Sequence, residues 1–175
     1  MTESSTHLVG VAIPTLRQLR SAVVSSTSPD GAVNALREAG FAGGAAVYAA
    51  FEEWLADSGV TDAGAGKNAA GDLSLEEFGN GTTKFFRDAG WGDVSLSHDD
   101  DEGVAIVDIE RCWEGVAGAH GCHITTGLLA AFFGQIAGYP VAVLETECCE
   151  GEGSRCRFMM GNAEIMNYKW EQMQA

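Results

Sequence analysis

The uncharged stretch from Gly127 to Leu144 constrains this chain more than any other feature, because so apolar a segment has to be buried somewhere. Its length only just meets the roughly 18 residues that a membrane-spanning helix needs. Gly138-Tyr139-Pro140 cuts it into a helix-like half and a β-branched half, Val141-Ala142-Val143. Glycine and proline together mark a turn, so the segment reads as a buried helix, a tight turn and a buried strand. Over His123–Ala137, the residues Thr125, Leu128, Leu129, Phe132 and Ile136 recur at helical spacing. No membrane span is expected.

The flanking elements follow from local signals. Pro14 can open a helix carrying Leu16, Leu19, Ala22 and Val23 on one face. Ser28-Pro29-Asp30 starts a second helix, which Gly40 is placed to cap, and Ala45–Leu55 reads as a third with Val47, Phe51 and Trp54 inward. Gly59–Gly71 is a low-complexity loop, and Ser74-Leu75-Glu76-Glu77 is a capping box for a helix through Phe85 and Phe86. After Gly90-Trp91-Gly92 come two expected strands, Val94–Ser97 and Gly103–Arg111, joined by an acidic turn at Asp99–Glu102 that lacks the spaced ligands of a calcium loop. Val141 onward and Arg155–Met160 form a second strand pair around Gly151-Glu152-Gly153, and a helix follows Asn162. Helices first, then a strand–helix–strand core, give an α/β or α+β chain: N-terminal helices on an antiparallel sheet. The 175 residues suit one domain, with 1–90 mainly helical and 91–175 carrying the sheet and the long helix.

Charge narrows the partners. There are 25 acidic residues against 10 basic ones, a formal net charge of -15, which repels phosphate backbones. Direct nucleic-acid binding is therefore not expected. Only three of the basic residues are lysines, a balance that fits a high-salt habitat or a highly soluble small protein. The N-terminus has no basic n-region ahead of an apolar core, so no signal peptide is read and a cytoplasmic location is expected.

All five cysteines, Cys112, Cys122, Cys148, Cys149 and Cys156, lie in the C-terminal part of the chain. In a reducing compartment such a cluster points to metal more than to disulfides. Cys148 and Cys156 bracket a glycine-containing turn and can offer two thiolates to one ion. Glu145 can add a carboxylate oxygen, and Cys122, at the start of the apolar helix, can close a four-coordinate site. Thiolate-rich tetrahedral coordination with no open position suits a structural zinc. Its net charge would be negative, with Arg155 and Arg157 as candidates to offset it. Positions i and i+3 on a straight strand face opposite ways, so either the chain bulges between Glu145 and Cys148 or Glu145 is not a ligand. His120, His123, Cys149 and Cys112 are alternative donors, and inert buried thiols are the plain alternative.

The stretch Cys122–Phe158, CHITTGLLAAFFGQIAGYPVAVLETECCEGEGSRCRF, resembles the end of the 4-vinyl reductase-type domain. It is similar to the aromatic-compound sensor domains of bacterial phenol- and xylene-responsive activators. The resemblance implies a structural zinc on Cys122, Glu145, Cys148 and Cys156, a single such domain over 1–175, and a homodimer. It also implies an apolar or aromatic ligand held between helices and sheet, with Trp113 as a pocket residue. Phe132 and Phe85 are further pocket candidates, beside Phe86, Phe133 and the Met159-Met160 pair, although each also suits an ordinary core. Phe85 and Phe86 stand where the sensors carry a hydroxyl-binding histidine. An accompanying ATPase or DNA-binding segment is not expected, and any signal is expected to pass through a protein partner. Catalysis on a vinyl-bearing tetrapyrrole is the less favoured reading, since no G-x-G-x-x-G follows a strand and opens a helix. A purely structural, zinc-stabilised assembly module is the third.

Overall fold

The computed structural model describes residues 8–58, 69–99, 102–115, 121–148 and 155–174. Most of the loop expected at Gly59–Gly71, the acidic pair Asp100-Asp101, the alternative donors His120 and Cys149, and the turn at Gly151–Gly153 lie outside them.

Five α-helices and a four-stranded antiparallel sheet make a mixed α+β fold among these residues. In chain order they are α1 (Ile13–Ser26), α2 (Pro29–Ser58), α3 (Leu75–Asp88), β1 (Asp93–Asp99), β2 (Val104–Glu110), α4 (His123–Ala137), β3 (Ala142–Glu147), β4 (Arg155–Gly161) and α5 (Ala163–Gln174). The strands are ordered β1-β2-β4-β3, so β1 and β3 are the edges. No helix among the described residues is long and apolar enough to cross a membrane.

Local chemistry sets the ends of the elements. The Ser74 hydroxyl accepts the backbone N–H of Glu77 while the Glu77 carboxylate accepts the N–H of Ser74, closing the capping box of α3. Gly138 ends α4 in the left-handed region (φ 71°), which a residue without Cβ enters freely. Pro140 then follows before β3 begins. Along β4, Cys156, Phe158 and Met160 are buried while Arg155, Arg157 and Met159 alternate to the other face.

The helix boundaries near Gly40 differ from expectation. Rather than ending at a Gly40 cap, α2 runs unbroken from Pro29 to Ser58, with Ala32, Leu36, Gly40, Gly44, Phe51 and Leu55 buried. Gly40 and Gly44 lie against the backbone of α4: a Cβ on Gly40 would strike the Ile124 carbonyl, and one on Gly127 of α4 would strike that of Arg37. The two helices therefore cross almost backbone to backbone. The absence of Cβ serves close approach here, not a turn.

The core lies between this helix pair, α3 and the inner sheet face. Phe51, Leu55, Phe86, Leu129 and Phe132 meet Val94, Val107, Ile109 and Phe158 there. Phe132 has edge or tilted contacts with Tyr48, Phe51, Phe86 and Phe133, all with centroids 5.2–5.7 Å apart. By contrast α1 buries none of its residues.

Candidate metal centre and ligand cleft

The first turn of α4 begins with Cys122, whose side chain makes no helix cap. Capping is supplied from outside the helix. Glu114, fully buried, accepts the backbone N–H groups of Ile124 (3.0 Å) and Thr125 (2.9 Å) and the Thr125 hydroxyl (2.9 Å). A carboxylate at a helix N-terminus satisfies orphan amides and meets the positive end of the dipole. Burial nevertheless pushes the Glu114 carboxyl up from its ordinary range, against the pull of those donors. Arg20 of α1 completes the arrangement, donating to Glu114 (3.2 Å) and to the Gly121 carbonyl (2.7 Å), while Arg17 donates to the Trp113 carbonyl (3.0 Å). With its cap assigned to Glu114, the Cys122 thiol is directed to the sheet.

There it meets both strands of the C-terminal hairpin. Cys122 Sγ lies 3.3 Å from Cys156 Sγ and 3.9 Å from Cys148 Sγ. The register of β3 on β4 shifts between Glu145 and Glu147, a bulge that adds one residue to β3. That extra residue resolves the facing problem, since Glu145 and Cys148 can then point the same way. One Glu145 oxygen accepts the Cys122 N–H (2.7 Å); the other, Oε1, is buried with no hydrogen-bond partner among the described residues. One donor atom each from Cys122, Glu145, Cys148 and Cys156 falls within 4.8 Å of all the others. None of the described cysteines is joined in a disulfide.

Three sulfurs and a carboxylate oxygen, from two buried and two half-buried residues, converge in a set that could hold a metal ion. The orphaned Glu145 oxygen is the clearest sign, because an unpaired buried carboxylate oxygen costs free energy that a cation would recover. The thiols show the same tension. Cys122 is pushed up by hydrogen bonding to Cys112, then to Cys156, and by burial, while Cys112 is held down by bonding to Cys122 and Cys156. The group cannot ionise as a whole without positive charge in its midst.

The alternative donors that are described stand beside the group. Cys112 Sγ is 3.9 Å from Cys122 Sγ and 4.0 Å from the Thr125 hydroxyl. The His123 ring packs on Gly121, whose φ of +95° and closeness to both His123 and Glu145 call for glycine. Arg155 and Arg157, expected to offset the site's charge, do not face it. They leave β4 on the side opposite Cys156, where Arg157 makes two 2.8 Å bonds to Asp108 and Arg155 pairs with Glu147. Strand alternation alone requires this.

The aromatic candidates for a ligand pocket lie deep in the core. Phe85 contacts Phe51, Trp54 and Phe86, and Phe132 is enclosed as described above. Trp113 is buried with its ring 5.6 Å from that of Trp91, and its Nε1–H has no partner among the described residues. A cleft of about 710 Å³ opens at the other end of α4, between α3, β1 and the last turns of the helix. Its walls include Phe78, Leu96, Phe133, Ile136 and Met160, so Phe132 stands one row behind it and Phe85 lies deeper, against Phe51 and Phe86. Sequence reading named Phe133 and Met160 but missed Phe78 and Leu96. Their signal was weak, because one inward residue on a half-exposed helix or edge strand looks like ordinary core.

No family model and no curated protein matches the chain. Solved structures do. The phenol-responsive sensory domain of the transcription activator PoxR, crystallised with phenol, superposes with a TM-score of 0.59 at 19% identity, covering 92% of this chain and 81% of that one. A vinyl-4-reductase family protein from Methanocaldococcus jannaschii gives a TM-score of 0.42 at 17% identity, over 89% and 83% of the two chains. The likeness read from Cys122–Phe158 thus extends over nearly the whole chain, which has the fold of the PoxR phenol-responsive sensory domain.

Proposed function

We propose that residues 1–175 form one sensor-type domain that binds an apolar or aromatic small molecule and is braced by a structural zinc ion. The observation that carries the ligand reading is the 710 Å³ apolar cleft between the helix layer and the sheet of a fold shared with a phenol-responsive domain. Its volume falls in the range, roughly 300–1,000 Å³, typical of small-molecule sites.

Cys122, Glu145, Cys148 and Cys156 would hold the zinc. A Zn–S bond of about 2.3 Å implies a tetrahedral sulfur–sulfur edge of about 3.8 Å; the 3.9 Å Cys122–Cys148 separation matches that edge, and the 3.3 Å Cys122–Cys156 separation is shorter than it. When bound, the ion supplies charge neutralisation and a cross-link, not a reactive water. The chain's own residues set the frame: Glu114 fixes the first turn of α4, and the β3 bulge turns Glu145 inward. With a cytoplasmic location, where thiols stay reduced, and a surface that repels nucleic acid, the bound state is read out by a protein partner, with a homodimer as the expected assembly.

Two measurements test this reading. Metal analysis of the purified protein should give about one zinc per chain, and Cys148→Ser should lose it. Thermal-shift screening with neutral aromatic compounds should raise Tm for a subset, whereas a flat response across phenols and larger aromatics removes the ligand reading.

A further inference from the structure

We propose that the cleft between α3, β1 and the end of α4 selects an uncharged ligand of more than one ring with a hydroxyl at one end, and rejects the matching carboxylate. This rests on the small-molecule reading above and adds to it a location and a chemical class.

Charge is the first argument. The walls are apolar, and neither lysine nor arginine lines the cleft. The sole carboxylate there is Glu76, in the first turn of α3 and exposed at the mouth. The one basic side chain in the lining is His98, exposed on β1, so a ligand carboxylate entering this cleft would lose its hydration without gaining a lysine or arginine, and would meet Glu76 in a chain of net charge -15. A hydroxyl carries no such penalty. Asn80, Ser95 and Ser97 line the mouth and offer both donors and acceptors.

Size and position are the second. A site buries most of its ligand's surface, and a single ring leaves much of 710 Å³ unfilled. The aromatic core behind the cleft is already closed by ring-on-ring packing around Phe132, so a larger ligand has to rest against Phe78 and Phe133. Free tetrapyrroles that carry carboxylates are disfavoured on the same charge grounds.

The full-length protein as purified is titrated by fluorescence with 2-naphthol, 2-naphthoate and phenol. The blocking variant is Gly79→Leu. A Cβ at Gly79 meets nothing within 4 Å, the residue lines the cleft, and leucine is the better helix former, so the variant should keep its Tm. Expected are at least tenfold tighter binding of 2-naphthol than of 2-naphthoate and of phenol, a tenfold or greater loss of 2-naphthol affinity in Gly79→Leu, and a narrowed naphthol–naphthoate gap in Glu76→Lys. Equal or tighter binding of 2-naphthoate overturns the charge rule. Preference for phenol overturns the size argument, and undiminished 2-naphthol affinity in Gly79→Leu overturns the location; both leave the small-molecule reading standing. Silence of the wild type toward all three compounds overturns the class and the reading together.

Discussion

The two ends of α4 are built on opposite principles. At its first turn, buried polar atoms converge: three thiols, a carboxylate with one orphaned oxygen, and Glu114 against the helix amides. At its last turns, Phe133 and Ile136 face apolar walls that stand apart and leave a cleft. One end gathers a buried carboxylate oxygen with no hydrogen-bond partner among the described residues, and the other leaves open space between apolar walls. The first arrangement could hold a cation, and the second offers room to an apolar body. A deficit of polar partners is the more costly, because desolvated charge costs more than an apolar gap exposed to solvent.

That ordering sets the expected effects. Cys156→Ser removes a fully buried thiol of the proposed metal site and should cost more than about 4 kcal/mol, the scale associated with losing a structural metal. Chelation of the wild type should lower Tm in parallel, and a chelator-insensitive Tm would break the contrast between the ends. Glu114→Gln keeps the shape but strips the charge from a buried pair with Arg20, whose partner carboxylate is 0% exposed. It should cost about 3 kcal/mol and release α1, which buries nothing of its own, so proteolysis within α1 should accelerate. Denaturant unfolding showing no loss would mean that α4 is capped well enough without it.

At the open end the same logic predicts a small effect. Ile136→Ala trims a partly buried wall residue and should cost about 1 kcal/mol in urea unfolding; a loss as large as that of Cys156→Ser would show the cleft to be a closed core. The outer sheet face offers a pH check of smaller size still. Hydrogen bonds from Arg157, backed by its charge, hold the Asp108 carboxyl below its ordinary value of 3.8. Because the folded value is depressed, this pair stabilises the protein above about pH 4, and its contribution fades as pH falls through the lowered value. Asp108→Asn should flatten that acid limb and leave the neutral-pH metal content unchanged.

Some of these features were legible in the sequence for a local reason. The capping box at Ser74–Glu77 and the span of α4 depend on residues within one or two turns of each other, so pattern and structure agree there. The four donors were legible as residue types at a spacing, and the facing conflict between Glu145 and Cys148 left either a turn or bulge or the loss of Glu145 as a donor, of which the strand register shows the bulge. The roles of Gly40, Arg155 and Arg157 were not. Gly40 has the look of a helix cap until α4 crosses it, and the two arginines seem close to the cysteines until strand alternation turns them to Asp108 and Glu147.

The sequence alone determined the periodic elements, the antiparallel α+β order and the thiol-rich donor set, since each is written in near-neighbour chemistry. Only the tertiary structure decided that α2 runs through its glycines, that Arg20 of α1 reaches the Glu114 carboxylate that caps α4, and that a cleft opens at Phe78 and Phe133. Those outcomes depend on which backbones approach and which side chains fail to meet, and both are set by contacts between segments far apart in the chain.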